Sequence, residues 1–290
     1  MSKLKTAGAV CAAAALSAYC FVQNRQLVTD EYTVSCKKLP KSFEGVKLLH
    51  LSDLHKKRYG DGFNNLINSC GFCDPDYIFF TGDLFSRTEE NLTPKLVLMQ
   101  RLMKIAPVYY VMGNHETEAV VKSEALNYKL GSEGVHVLRN SSERICRNGE
   151  YIDVYGLELS ADYYRSFSGT GYRGLKKADK SLLTKLLGVP NTDKCSILLA
   201  HNPFPFKEYA EWGADIVFSG HCHGGIVRLP LAGGLLSPER KLFPEYTKGV
   251  YNKFGSSMVV SAGLGKFRLQ NPSQIISCLL YTSPSPRDRG

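Results

Sequence analysis

Five times along this chain of 290 residues, a short aliphatic or aromatic run stops at a side chain able to hold a metal ion. Residues 46–51 (VKLLHL) stop at Ser52-Asp53-Leu54-His55, residues 77–81 (YIFFT) at Gly82-Asp83, and residues 108–112 (VYYVM) at Gly113-Asn114-His115-Glu116. Residues 196–200 (SILLA) stop at His201, and residues 214–218 (ADIVF) run into Ser219-Gly220-His221-Cys222-His223-Gly224-Gly225. Runs of that length and β-branched density read as buried strands. Helical segments at 63–70 and 94–105 separate the first three. This order predicts an α/β sheet, and in such sheets ligands collect at the carboxyl ends of strands.

The spacing within each cluster carries chemistry. Asp53 and His55 are two residues apart and share a face in an extended chain, so a carboxylate and an imidazole can converge on one ion. The pair His221 and His223 repeats that spacing beside glycines that leave room for a substrate. Asp53, His55, Asp83, Asn114, His115, His201, His221 and His223 together mix carboxylate, imidazole and amide oxygen. That set suits Mn, Fe or Zn better than Ca or a thiolate site. His50, further back in its strand, reads as a core or edge histidine.

After Glu116 the pattern loosens. A helix is expected near 121–130, shorter strands at 135–138 and 151–156, a helix at 208–212, and late strands at 258–261 and 274–277. Residues 160–180, rich in Tyr, Ser and Gly, and the Pro/Gly-rich residues 229–244 read as loops that shape the pocket.

Composition narrows the partners. A net charge of +9 and a pI of about 9.0 favour anionic molecules such as phosphate esters or lipid headgroups. The longest basic run is Lys56-Lys57-Arg58, without interleaved aromatics, so sequence-specific nucleic-acid binding is not expected. Nine cysteines do not form a disulfide framework. The single CxxC, Cys70 to Cys73, reads as core cysteines, with a redox pair or half of a zinc site as the alternative.

Residues 6–24 carry no charge and are preceded by Lys3 and Lys5. Residues 1–24 are expected to be a signal anchor or a cleaved signal peptide, with the catalytic domain outside the cytoplasm at the cell membrane, or secreted. Residues 25–44 read as a short strand (Tyr32-Thr33-Val34) and a linker, and 45–277 as the folded domain. Residues 278–290 resemble a translated sequencing adapter, a non-native tail that interrupts a strand after Ser277.

Taken in order, Asp53-x-His55, Gly82-Asp83, Gly113-Asn114-His115-Glu116, His201 and Gly220-His221-x-His223 resemble the blocks of calcineurin-like metallophosphoesterases. The wording Ser52-Asp53-Leu54-His55 and His221-x-His223-Gly224-Gly225 is most similar to bacterial YkuE/YaeI-type phosphodiesterases. The resemblance implies a four-layer α/β/β/α sandwich of two mixed sheets around two divalent metal ions (Mn, Fe or Zn). It implies that Asp53, His55 and His223 hold one ion, that Asn114, His201 and His221 hold the other, and that Asp83 bridges them. It implies further that a metal-activated hydroxide hydrolyses a phosphate ester, lipid- or nucleotide-linked esters among the expected partners, while His115 protonates the leaving alkoxide or orients the phosphate. A hydrolase of UDP-linked lipid and a non-catalytic metal-binding scaffold are the alternatives. Two positions depart from the pattern: Ser86 stands where Asp is usual, and Cys222 where Thr is usual.

Overall fold

A five-residue strand cannot bury all its side chains in one direction, and the computed structural model shows where those of 47–51 go. It describes residues 26–165, 175–225, 227–229, 233–238, 240, 242–265 and 273–282, with Gly8 and Cys11. Along β2 (Lys47–Leu51), Leu49 and Leu51 enter one core and Leu48 enters another. The first core lies under α1 (Asn64–Phe72), α2 (Thr93–Met103) and α4 (Val120–Ser132), which contribute Leu66, Leu98, Met99, Leu126 and Leu130. The second core joins two sheets through Leu48, Phe79, Val111, Ile197 and Phe218. A third core sets Leu198 and Val217 against α5 (Lys180–Leu187) and α6 (Phe206–Trp212), through Leu183, Tyr209 and Trp212. The stacking is therefore helices, sheet, sheet, helices, and the period of two along each strand is what feeds adjacent cores.

The first sheet runs β1 (Leu27–Ser35), β14 (Ser273–Tyr281), β2, β3 (Tyr77–Thr81), β4 (Val108–Val111), β5 (His136–Val137). The second runs β12 (Gly249–Lys253), β13 (Ser256–Val260), β9 (Ile216–Ser219), β8 (Ser196–Ala200), β7 (Glu150–Leu157), β6 (Ser141–Arg147). Both are mixed: β2, β3 and β4 are parallel while β14 opposes β2, and β7, β8 and β9 are parallel while β6 opposes β7. The ligand-type residues all follow the carboxyl ends of parallel strands. The short helix α3 (Asn114–Glu118) starts directly after β4.

Several expectations need correction. The residues read as a short strand and linker contain the nine-residue β1, paired in parallel with β14, and Val34, Leu39 and Phe43 are buried in the inter-sheet core. The folded unit therefore includes β1 and the residues that follow it. The strand expected to break after Ser277 continues through Tyr281, because Cys278 and Leu280 keep the alternation and fill the inter-sheet core. Residues 283–290 lie outside the described residues. The loop 229–244 contains part of an antiparallel hairpin, β10 (Val227–Leu229) with β11 (Gly233–Leu236). Helix α5 is a further element, its Leu182, Leu183, Leu186 and Leu187 recurring at helical spacing and packing on the third core, and strands β6 and β12 are two more, whose residues lack a clear apolar alternation. Among the described residues no helix is long and apolar enough to cross a membrane, and the expected anchor, 1–24, lies outside them apart from Gly8 and Cys11. Cys70 is buried in the first core and burial pushes its thiol up, as it does for Cys73, so neither is held as a thiolate.

His50 is a core histidine. Its Nε2 lies 2.7 Å from Thr81 Oγ1 and its ring meets Phe218 edge-on between the sheets. Burial pushes its pKa from 6.5 down to about 3, although the Asp53 carboxylate pulls the other way. The unfolded chain therefore takes up a proton that the folded chain refuses, and stability falls as pH drops below about 6.5. Denaturant titrations at pH 7.5 and pH 5 are expected to show the wild type losing about 2 kcal/mol more than His50→Phe. Equal losses in both proteins would show that His50 does not bear this cost.

Candidate metal centre

Three tight turns bring the first sheet's ligands together. The N–H of Asp53 donates to Gly82 O at 3.0 Å and that of His55 to Asp83 O at 3.1 Å, tying the end of β2 to the end of β3. Gly113, at the end of β4, lies so close that a Cβ there would stand 2.3 Å from Asp83 Oδ1. Gly220 gives the same close approach from the second sheet, where a Cβ would meet Ser52 Oγ at 1.9 Å. No side chain fits at either place. Asp53, His55, Asp83, His221 and His223 all adopt left-handed backbone conformations, with φ between 49° and 67°. Non-glycine residues held there cost roughly 1–3 kcal/mol each and persist only where surrounding structure enforces them.

All eight expected residues converge at one pole of the two sheets. Ligand atoms of Asp53, His55, Asp83 and His223 lie within 4.8 Å of one another. Nε2 of His55 and Nε2 of His223 are 3.2 Å apart, and Asp53 Oδ1 is 3.4 Å from the latter. On the other side, Asn114 Oδ1 is 3.2 Å from His201 Nε2 and 3.0 Å from His221 Nδ1. Asp83 stands between the two groups, its Oδ2 3.6 Å from His55 Nε2 and 3.5 Å from His201 Nε2. His115 is at the rim, with Nε2 4.0 Å from the same oxygen.

The electrostatics favour a cation. Asp53 and Asp83 are almost fully buried, which opposes their ionisation. Even so, His223 and His201 hold Asp53 low, and His201 and His115 hold Asp83 well below the usual carboxylate range. Burial works against a charged His201, but Asp83 and Asp53 outweigh it and raise its pKa to about 10. Burial pushes His55 down to about 3 and lowers His223 as well, against the pull of the neighbouring carboxylates. Neutral imidazole is the metal-binding form, and two such nitrogens facing each other beside two carboxylates fit a divalent ion.

Other residues serve the site without having been singled out in the sequence. Glu116 accepts N–H bonds from Asp83 and Gly113 at 2.8 Å and from Phe85 at 3.2 Å, so one carboxyl group fixes two ligand-bearing turns. Burial, then the neighbouring Asp83, pushes its pKa up to about 8 against those donors. Lys95, buried on α2, donates to the carbonyl of His55 and pairs with Glu89 at 3.5 Å. Arg87 Nη2 lies 3.1 Å from His115 Nε2, and its guanidinium pairs with Glu118. Tyr164 packs its ring 5.3 Å from that of His221 and 5.9 Å from that of His201. Arg87, Glu118, Tyr164, Arg165 and Arg240 line a cleft of about 340 Å³ that opens onto Asp83, Asn114, His115, His221 and His223. Glu116 sits inside the quoted Gly-Asn-His-Glu block; the others have no spacing signal. Of the two departures, Ser86 donates its N–H to Glu89, and Cys222 is fully buried in the turn between the histidines.

The model of the calcineurin-like phosphoesterase family matches residues 46–225. The chain is 26% identical over 272 residues to the Bacillus subtilis metallophosphoesterase YkuE, covering 91% of this chain and 87% of that one. It is 26% identical over 232 residues to the Escherichia coli phosphodiesterase YaeI, with 76% and 75% covered. Among solved structures, a candidate 5′-nucleotidase from Staphylococcus aureus superposes with a TM-score of 0.50 at 13% identity, over 83% of this chain and 55% of that chain. That last likeness concerns the fold.

Because Gly113 leaves no room for a Cβ beside Asp83, Gly113→Ala is expected to displace the Asp83 carboxylate. Calorimetric titration with Mn²⁺ should show affinity reduced roughly 10–100-fold, with far-UV circular dichroism retained. Wild-type affinity in this variant would mean that the contact does not position Asp83.

Proposed function

This chain belongs to the calcineurin-like phosphoesterase family, and on that premise we propose that it is a membrane-associated phosphodiesterase working with two divalent cations. The family makes it a metal-dependent phosphoester hydrolase; the diester preference, the count of two and the membrane setting are our reading. The observation that carries the two-ion reading is the place of Asp83, whose Oδ2 lies 3.6 Å from one imidazole group and 3.5 Å from the other. In this reading Asp53, His55 and His223 hold one ion, Asn114, His201 and His221 hold the second, and Asp83 is shared. When bound, such a pair supplies Lewis-acid activation of water and neutralises charge developing on the phosphoryl oxygens.

The chain's own residues do the rest. The Ser52 hydroxyl, 2.6 Å from Asp53 Oδ2, and the N–H of His221 orient the Asp53 carboxylate. The N–H of His115 donates to Asp83 Oδ1 at 2.8 Å and fixes the other. Thr81 O, 2.7 Å from His201 Nδ1, receives that nitrogen's proton and turns Nε2 toward the centre. Arg87, Arg165 and Arg240 line the cleft and attract a phosphodiester anion. In this reading His115, at the boundary of cleft and centre with its Nδ1 accepting the Arg87 N–H, protonates the departing alkoxide or orients the phosphate. The diester preference is supported by the likeness to YaeI. The uncharged residues 6–24 and the net charge of +9 support a membrane surface as the setting, with the catalytic domain outside the cytoplasm.

The test is hydrolysis of bis-p-nitrophenyl phosphate by the chain loaded with Mn²⁺. Turnover should vanish with EDTA, fall about 100-fold or more in Asp83→Asn along with Mn²⁺ affinity, and fall roughly 10²–10⁴-fold in His115→Ala with Mn²⁺ binding retained. Bound Mn²⁺ without turnover of this diester or of p-nitrophenyl phosphate would favour a non-catalytic scaffold instead.

A further inference from the structure

At the opposite pole of the molecule a second cluster has no part in this chemistry. Cys36, Cys195 and Asp215 bring two sulfurs and a carboxylate oxygen within 4.8 Å of one another. Cys36 follows β1 of the first sheet and donates its N–H to Tyr281 O at 2.9 Å. Cys195 and Asp215 immediately precede β8 and β9 of the second sheet, and His201 lies past the far end of β8. One five-residue strand, about 17 Å, therefore separates the cluster from the candidate metal centre. Both thiols are buried in the core that joins the sheets.

The carboxylate is already engaged. Asp215 Oδ2 accepts the Ser196 N–H at 2.9 Å, and Oδ1 is 2.7 Å from the Lys38 ammonium. An ammonium in that place opposes a divalent cation, so the donor set does not suit a metal. It suits a reactive thiol. Beside Cys195 the Cys36 thiol is lowered against the effect of burial, with Lys38 adding to the lowering, while Cys195 is pushed up. Such an arrangement separates an attacking thiol from one that keeps its proton.

We infer that Cys36 and Cys195 are a redox pair that closes to a disulfide and ties the first sheet to the second. The oxidant is a disulfide, of a small thiol or of an oxidoreductase. The Cys36 thiolate attacks one of its sulfurs and expels one thiol; Cys195, giving up its proton, then attacks Cys36 sulfur and expels the second. Two protein thiols are oxidised and one disulfide is reduced to two thiols. The closed bridge spans the interface across which Asp53, Asp83 and Asn114 face His201, His221 and His223. It therefore restrains the two halves of the metal centre from the opposite pole and constrains the unfolded chain over a long loop.

The full chain, purified reduced, is incubated with oxidised glutathione, alkylated, unfolded and digested without reductant for peptide mapping. A cross-linked peptide joining Cys36 to Cys195 is expected, with a thermal midpoint raised by roughly 5–15 °C. Dithiothreitol should reverse that rise, and Cys36→Ser and Cys195→Ala should lack it. Recovery of both cysteines as separate peptides, alkylated or carrying glutathione, overturns the inference. So does stoichiometric zinc that protects both thiols and is lost in Cys36→Ser. The wild-type map decides the matter even if either variant fails to fold.

Discussion

Two carboxylates withdrawn from water govern this structure. Asp53 and Asp83 are buried where the ends of both sheets meet, and ionised groups in such places cost several kcal/mol each unless matched by positive charge and hydrogen bonds. The match comes from across the interface: His201, whose pKa is raised to about 10, and the backbone N–H of His221 belong to the second sheet, the carboxylates to the first. Neither sheet holds a complete site. The inter-sheet core of Leu48, Phe79, Val111, Ile197, Leu199 and Phe218 is thus also what holds donors and acceptors at working distance. Loosening it separates the charges that make each other tolerable.

The backbone bears much of the cost of this convergence. Five of the eight residues adopt left-handed conformations, and Gly113 and Gly220 sit where any Cβ would collide with Asp83 or Ser52. Glu116 holds the strained turns after β3 and β4 with three backbone N–H bonds. Lys95 secures the turn after β2 from below, through the carbonyl of His55. Strain gathered at one pole and supported by buried polar side chains is the arrangement expected of a preorganised site, since ligands fixed in advance need not be ordered when the ion or substrate arrives.

Much of this was legible in the sequence because it is local. A five-residue apolar run has only a few structures open to it, and a carboxylate or imidazole just past its end must emerge at the sheet's carboxyl edge. The eight candidate residues are read that way. Residues whose role depends on distant partners left no such trace. Glu116 stands in the quoted block and its bond to Gly113 is local, but its hold on the Asp83 turn, 33 residues away, is not written there. Arg87 gains its place from His115, and Tyr164 from His201 and His221. The membership of β1 in the first sheet was likewise hidden, because its pairing partner, β14, lies more than two hundred residues further on.

By itself the sequence determined the chemistry available at each strand end, the α/β class and the metal-ligand character of the set, since these follow from side-chain type and short-range alternation. Tertiary structure alone decided that two sheets close on one another, that Asp83 stands between two groups of imidazoles, and that Cys36 meets Cys195 at the far pole. Those are contacts between segments far apart in the chain. Their free energy comes from burying three cores at once, a collective quantity that no local window of residues contains.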